Sequence, residues 1–62
     1  MFVIVDVNTK EWLTMHGFKP HFTNNSVIRW QTDSRDSADA TQYQLITNYF
    51  SERELEVRND QN

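Results

Sequence analysis

The alternation of apolar and polar positions divides the chain into five elements. Residues 2–7 (Phe2-Val3-Ile4-Val5-Asp6-Val7) are β-branched or aromatic on both faces and are broken only by Asp6. That pattern predicts a strand well covered on one face and partly covered on the other. Asn8-Thr9-Lys10 reads as a three-residue hairpin loop, with Asn8 or Lys10 taking the unusual dihedrals. Residues 11–16 alternate and predict a second strand, with Trp12, Thr14 and His16 on one face and Leu13 and Met15 on the other. Gly17 and Pro20, the single glycine and the single proline, punctuate residues 17–26. This stretch is expected to be the longest irregular segment, with Phe18 and Phe22 exposed on it. Val27-Ile28-Arg29-Trp30 reads as a short third strand.

A helix is expected to start within residues 32–37. Asp33, Ser34 and Ser37 are all suitable caps there, and Asp36 and Asp39 sit where the helix dipole favours negative charge. Ala38, Thr41, Gln42, Leu45, Ile46 and Tyr49 follow a 3.6-residue period, so they form one apolar-leaning face. The helix should end near Tyr49-Phe50. Glu54-Leu55-Glu56-Val57-Arg58 alternates again as a closing strand, with Leu55 and Val57 inward. Residues 1–58 thus form one domain, and 59–62 a polar tail. The order strand, strand, short strand, helix, strand gives an α+β fold. Its simplest form is a small, mostly antiparallel sheet of three or four strands with one helix packed on one face. One helix leaves the opposite sheet face uncovered, which makes that face a candidate partner or dimer surface.

Composition narrows the function classes. A 62-residue chain leaves little room for a deep pocket beside a core. The absence of cysteine excludes thiolate metal sites and disulfide staples, and points to a reducing, intracellular compartment. The apolar run at 2–7 is too short for a membrane span and lacks the flanks of a signal peptide. Eight aromatic residues argue for a packed core. Charge is uneven. Residues 1–31 hold three basic groups and two acids, whereas residues 32–62 hold three arginines and seven acids. An acidic second half suits a basic protein partner better than it suits phosphate.

Candidate chemistry is sparse. His16 and His21, with Asp6 or Glu11 nearby, lack a third metal ligand at a recognised spacing and read as surface histidines. Asp33, Asp36 and Asp39 lack the alternate-position ligands and glycine of a calcium loop and read as helix N-terminal charge. Glu52, Glu54 and Glu56 are one acidic cluster, with Glu54 and Glu56 on the solvent face of a strand. No nucleophile–base spacing, phosphate loop or zinc-binding helix is present, so the chain is expected to be non-enzymatic and to carry no cofactor and no metal. Trp12, Phe18, Phe22 and Trp30 interleave with Lys10, Lys19, His21 and Arg29 as base-stacking and phosphate-contacting groups would. Net charge of −3 disfavours nucleic acid as a partner.

The layout from Phe2 through Thr14, followed by a short strand, an Asp-Ser helix start and a closing strand, resembles short orphan proteins of tailed phages and their hosts. The resemblance implies a class that binds and inhibits or redirects a larger bacterial host protein, such as RNA polymerase or a defence nuclease. It carries over no functional residue. The expected function is therefore a small protein-binding module. Phe18, Lys19, Phe22, Arg29 and Trp30 form one expected contact set, since interface hot spots favour aromatic and arginine side chains. Glu52, Glu54 and Glu56 form the second. Two alternatives stand beside it: a single-stranded nucleic-acid binder using an aromatic sheet face, and a structural homodimer whose bare sheet faces pair.

Overall fold

The computed structural model describes residues 1–20 and 28–60. Its elements are β1 (Phe2–Asp6), β2 (Glu11–Thr14), β3 (Gly17–Pro20), α1 (Arg35–Asn48) and β4 (Leu55–Asn59). The four strands form one antiparallel sheet in the order β3-β2-β1-β4, and α1 packs against β1 and β4. This is the α+β architecture expected from the hydrophobic pattern. The core gathers on the helix side of the sheet. Ile4, Leu13, Phe18 and Leu55 are buried there, and Trp30, Leu45, Ile46, Phe50 and Val57 pack against them.

β1 is central because it can be buried on both faces. Val3, Ile4 and Val5 are the largest fully buried side chains, which explains a run of apolar residues without alternation. β4 pairs along the whole of β1, from Phe2↔Asn59 to Asp6↔Leu55. Leu55 is buried and Glu56 exposed, as the alternation required. β4 runs to Asn59, and the Asp60 N–H donates to the Met1 carbonyl at 2.8 Å, so ordered chain continues past the expected boundary at 58.

Three local expectations change. First, the β1–β2 loop has four residues, 7–10, not three, and Lys10 takes the positive φ of 66°. Asp6 explains the extra residue, because its Oδ1 accepts the N–H groups of Asn8 and Thr9 at 2.8 and 3.0 Å and winds the loop around itself. Second, β2 ends at Thr14, and residues 17–20 are a strand rather than irregular chain. A tight Met15-His16 turn reverses the chain; Thr14 Oγ1 donates to the Gly17 carbonyl at 2.7 Å and accepts the His16 N–H at 3.1 Å. Gly17 sits at φ 97°, and Pro20 is tolerated because β3 is an edge strand.

Third, the segment expected as a third strand, 27–30, makes no strand among its described residues: it carries one isolated bridge, at Arg29, and a second follows at Thr32. Val27 lies outside the described residues, as do Phe22 and His21. β1 and β2 splay apart beyond Val5↔Trp12, and the chain around Trp30 enters the fork. The Trp30 N–H donates to the Leu13 carbonyl at 2.9 Å, and Phe2 and Thr32 exchange backbone hydrogen bonds at 2.6 and 3.0 Å. The bridges Thr14↔Arg29 and Phe2↔Thr32 are both antiparallel, yet β1 and β2 run in opposite directions. One straight strand cannot satisfy both, so the chain bends between its two partners.

α1 begins at the N-cap Ser34, whose Oγ accepts the Ser37 N–H at 3.2 Å, with Asp36 in the first turn. Its inner face carries the expected Ala38, Thr41, Gln42, Leu45 and Ile46, although only Ala38 is fully buried. Tyr49 leaves that stripe. It is the C-cap residue at φ −132°, outside the helix, and 73% exposed. Phe50 takes its place against the core, its N–H turning back to the Leu45 carbonyl at 2.7 Å.

At Gly17 an added Cβ would meet no atom within 4 Å, so only the backbone conformation resists substitution. Gly17→Ala is expected to cost about 1–2 kcal/mol, the penalty of a left-handed L-residue, and Gly17→Asn less. Urea unfolding midpoints of the two variants check this.

Candidate functional site

Cross-strand register sorts every strand residue onto one of two faces. The helix face carries Phe2, Ile4 and Asp6 of β1, paired with Asn59, Val57 and Leu55 of β4. Asp6 is therefore a carboxylate on the core face, and it is only 2% exposed. Burying such a charge is costly unless it is fully hydrogen-bonded and paired. Arg53, from the turn before β4, supplies the pairing. Its Nη1 donates to Asp6 Oδ2 at 2.7 Å and to Glu11 Oε1 at 2.9 Å, joining the two sides of the first hairpin. The guanidinium lies over the rings of Phe18 and Phe50, 4.5 and 5.3 Å from their centroids, and those rings meet edge to face at 5.3 Å. Arg53 Nε is buried without an acceptor, and the ring faces supply the compensation.

The electrostatics follow from this geometry. The Asp6 carboxyl is held below its ordinary range mainly by the Thr9 N–H, with burial opposing and Arg53 and the Asn8 N–H adding to the depression. Glu11 is lowered chiefly by the Arg53 hydrogen bond and then by the Thr9 hydroxyl, which donates to Glu11 Oε1 at 3.0 Å. Arg53 is raised in turn, first by Glu11. All three groups have their strong partners inside the fold. The site is therefore a structural clamp, with no carboxylate left ready for proton transfer.

The other sheet face carries Val3 and Val5 with Trp12, Lys19, Glu56 and Arg58. It was expected to be bare. Instead, Val3 and Val5 are buried, and Trp12 and Arg58 stand beside them. The Arg29 guanidinium covers the Trp12 ring at 4.1 Å and is ion-paired with Asp60. Long side chains thus shield apolar stems while keeping their charges in water. Two shallow hollows of about 220 and 260 Å³ flank this cover, both lined by Val5, Trp12 and Arg58. They are small for a drug-sized ligand site.

The expected contact residues divide accordingly. Phe18, at 9% exposure, belongs to the core, which corrects its reading as an exposed contact. Trp30 packs half-buried against the same core. Lys19 and Arg29 are half-buried, and Phe22 lies outside the described residues. The first set is therefore not assembled as one surface by the described residues. Glu52, Glu54 and Glu56 are exposed, Glu54 accepting from Asn8 Nδ2 at 3.4 Å and Glu56 from Arg58 Nε at 2.7 Å.

The residues that sequence reasoning missed lie on the helix. Tyr43 is 70% exposed, and it shares the outer face of α1 with Asp36, Ala40 and Thr47 at helical spacing. Tyr49 adds a second exposed ring just before Glu52. His16 sits in the β2–β3 turn, at the opposite end of β2 from Glu11. Among the described residues no three His, Asp or Glu side chains converge on a metal position. No helix among them is long and apolar enough to cross a membrane. Compared with protein-family models, curated proteins and solved structures, the chain matches none.

Removing Arg53 strands a buried carboxylate, so Arg53→Met should cost on the order of 2–3 kcal/mol. Because Asp6 and Glu11 are depressed in the folded state, their contribution is complete above their ordinary values of 3.8 and 4.5. It fades as pH falls through those values to the lower folded ones. Thermal unfolding between pH 7 and 3 should show this loss in the native protein and a flatter profile in Arg53→Met. Phe18→Ala should cost about 3–5 kcal/mol, enough to unfold a domain this small. A folded Phe18→Ala variant by circular dichroism would contradict the core assignment.

Proposed function

We propose that this chain is a small non-enzymatic protein-binding module that occupies a surface of a larger bacterial protein. One observation carries the reading: Tyr43 and Tyr49 stand exposed on α1 and just after it, within a stretch, residues 36–52, whose charged residues Asp36, Asp39 and Glu52 are all acidic. Tyrosine is enriched at interface hot spots because its ring buries a large area at low entropic cost and its hydroxyl keeps a polar partner. Acidic surroundings steer such a surface toward a basic patch on the partner. Glu52 and Glu54 of the acidic set belong to this contact surface. Phe18 and Trp30 act by holding the core on which it rests.

Catalysis is the weaker reading, because the carboxylates of Asp6 and Glu11 are both consumed by Arg53. The layout resembles small phage and prophage proteins that inhibit or redirect a host protein, and we place the chain in that class as a cytoplasmic inhibitor. RNA polymerase and defence nucleases are the target classes. A single-stranded nucleic-acid binder is the second reading. It is favoured by Trp12 on a sheet face shared with Lys19 and Arg58, but Arg29 already stacks on that ring.

Affinity capture from bacterial lysate, compared between the native chain and Tyr43→Ala/Tyr49→Ala, tests the proposal. One stoichiometric protein that survives moderate salt and weakens at least about tenfold in the variant is expected. Capture of nucleic acid alone, released by salt, would transfer the assignment to the sheet face.

A further inference from the structure

The outer edge of β4 is built to pair with itself. The Val7 N–H donates to the Glu54 carbonyl and the Asp60 N–H to the Met1 carbonyl, both at 2.8 Å. An antiparallel ladder alternates, so Glu54, Glu56, Arg58 and Asp60 turn their backbone groups toward β1. Leu55, Val57 and Asn59 must then turn theirs outward, at the end of the sheet. The helix claims one of these groups: Gln42 Nε2 donates to the Leu55 carbonyl at 2.7 Å. Among the described residues nothing claims the outward N–H and C=O of Val57 and Asn59. An unpaired strand edge is a template for another strand unless it is blunted. The β3 edge has Pro20 on it, whereas β4 contains no proline and no bulge in its pairing.

Side-chain charge selects the occupant. Set two copies of β4 antiparallel with Val57 facing Val57, and Glu56 falls opposite Arg58 twice, once on each side of the two-fold axis. The facing Val57 residues form a hydrogen-bonded pair, so the Glu56–Arg58 pairs are of the closer, non-hydrogen-bonded kind. Leu55 then faces Asn59, adding a backbone bond from each Leu55 N–H. Within one chain Glu56 and Arg58 already meet at 2.7 Å on the exposed face, both side chains close to half exposed, so they can re-pair without desolvating a buried charge. The match ends where Glu54 would face Asp60, which limits the ladder to residues 55–59. We infer that β4 is a homodimerisation edge, joining two four-stranded sheets into one continuous eight-stranded sheet about a two-fold axis at Val57. The edge consists of residues of β4 and includes neither tyrosine, and the inference does not depend on the proposed function.

Sedimentation equilibrium over a wide concentration range, at low and moderate salt, tests it. The native chain should show a monomer–dimer equilibrium. Arg58→Glu places four acids around the axis, and Glu56→Arg places four cations there. Each single variant should weaken the dimer at least about tenfold. Mixing the two variants in equal amounts should restore a heterodimer, because every charge again faces its opposite. The double variant Glu56→Arg/Arg58→Glu should dimerise as the native chain does. Both positions, 56 and 58, carry exposed side chains, and circular dichroism on each variant confirms that the fold is intact. A native chain that stays monomeric at every concentration overturns the inference. So does a dimer indifferent to Arg58→Glu, which would point to pairing of sheet faces, or a mixture that fails to associate.

Discussion

One guanidinium decides how this small domain is assembled. Arg53 reaches from the turn before β4 to a carboxylate on β1 and another on β2, while its guanidinium lies over Phe18 of β3 and Phe50 after α1. It therefore touches the products of all five elements or their flanking turns at a single point. The arrangement answers a problem created by Asp6. That residue winds the first loop through its Oδ1, which requires it to sit at the end of β1. The strand register then points the same side chain into the core. A side chain needed by the turn becomes a liability to the core, and Arg53 converts the liability into a tie. Its value is in specificity of arrangement as much as in net stability, since a buried pair repays little more than its own desolvation.

The same economy appears on the far sheet face. Val3 and Val5 need cover, and one helix can pack on only one side. Trp12 and the stems of Arg29 and Arg58 provide the cover with side chains that also stay soluble. The cations there are held by Asp60 and Glu56, so the face is a mosaic of paired charges and one indole. The exposed tyrosines lie elsewhere, Tyr43 on α1 and Tyr49 just after it.

Much of the fold was legible from periodicity. The apolar run located β1 as a well-covered strand, the 3.6-residue stripe located α1, and the alternation at 54–58 set the inward Leu55 and Val57. The failures have physical causes. Gly17 was read as a breaker because it is a lone glycine beside a proline, but a tight turn needs such a residue and an edge strand tolerates the proline. Arg29 and Trp30 have strand-like neighbours, yet they bond to β2 while Thr32, two residues on, bonds to β1, and no local pattern encodes such a switch between divergent strands. Phe18 looked exposed only because its segment looked irregular. The clamp did leave a trace. A single acid inside the most apolar run of the chain demands a cationic partner, although nothing nearby in sequence identifies Arg53 as that partner. The exposed tyrosines were hidden by the opposite effect, since Tyr49 fits the helical stripe until the helix stops one residue before it.

The pairing of β1 with β4 has a kinetic consequence. Its contacts join residues 49 to 57 positions apart, from Asp6–Leu55 to Phe2–Asn59. The two hairpins linking β1, β2 and β3 close over short loops and can form early, but they leave the central strand with one side unsatisfied. Completing it requires the closure of nearly the whole chain, with α1 already carried along as part of the closing loop. The rate of folding is thus governed by the search of one strand for an edge. Until that search ends, Val3, Ile4 and Val5 remain an open, sticky template. The lifetime of that half-built sheet, more than the stability of the finished one, sets how much of this protein escapes aggregation while it folds.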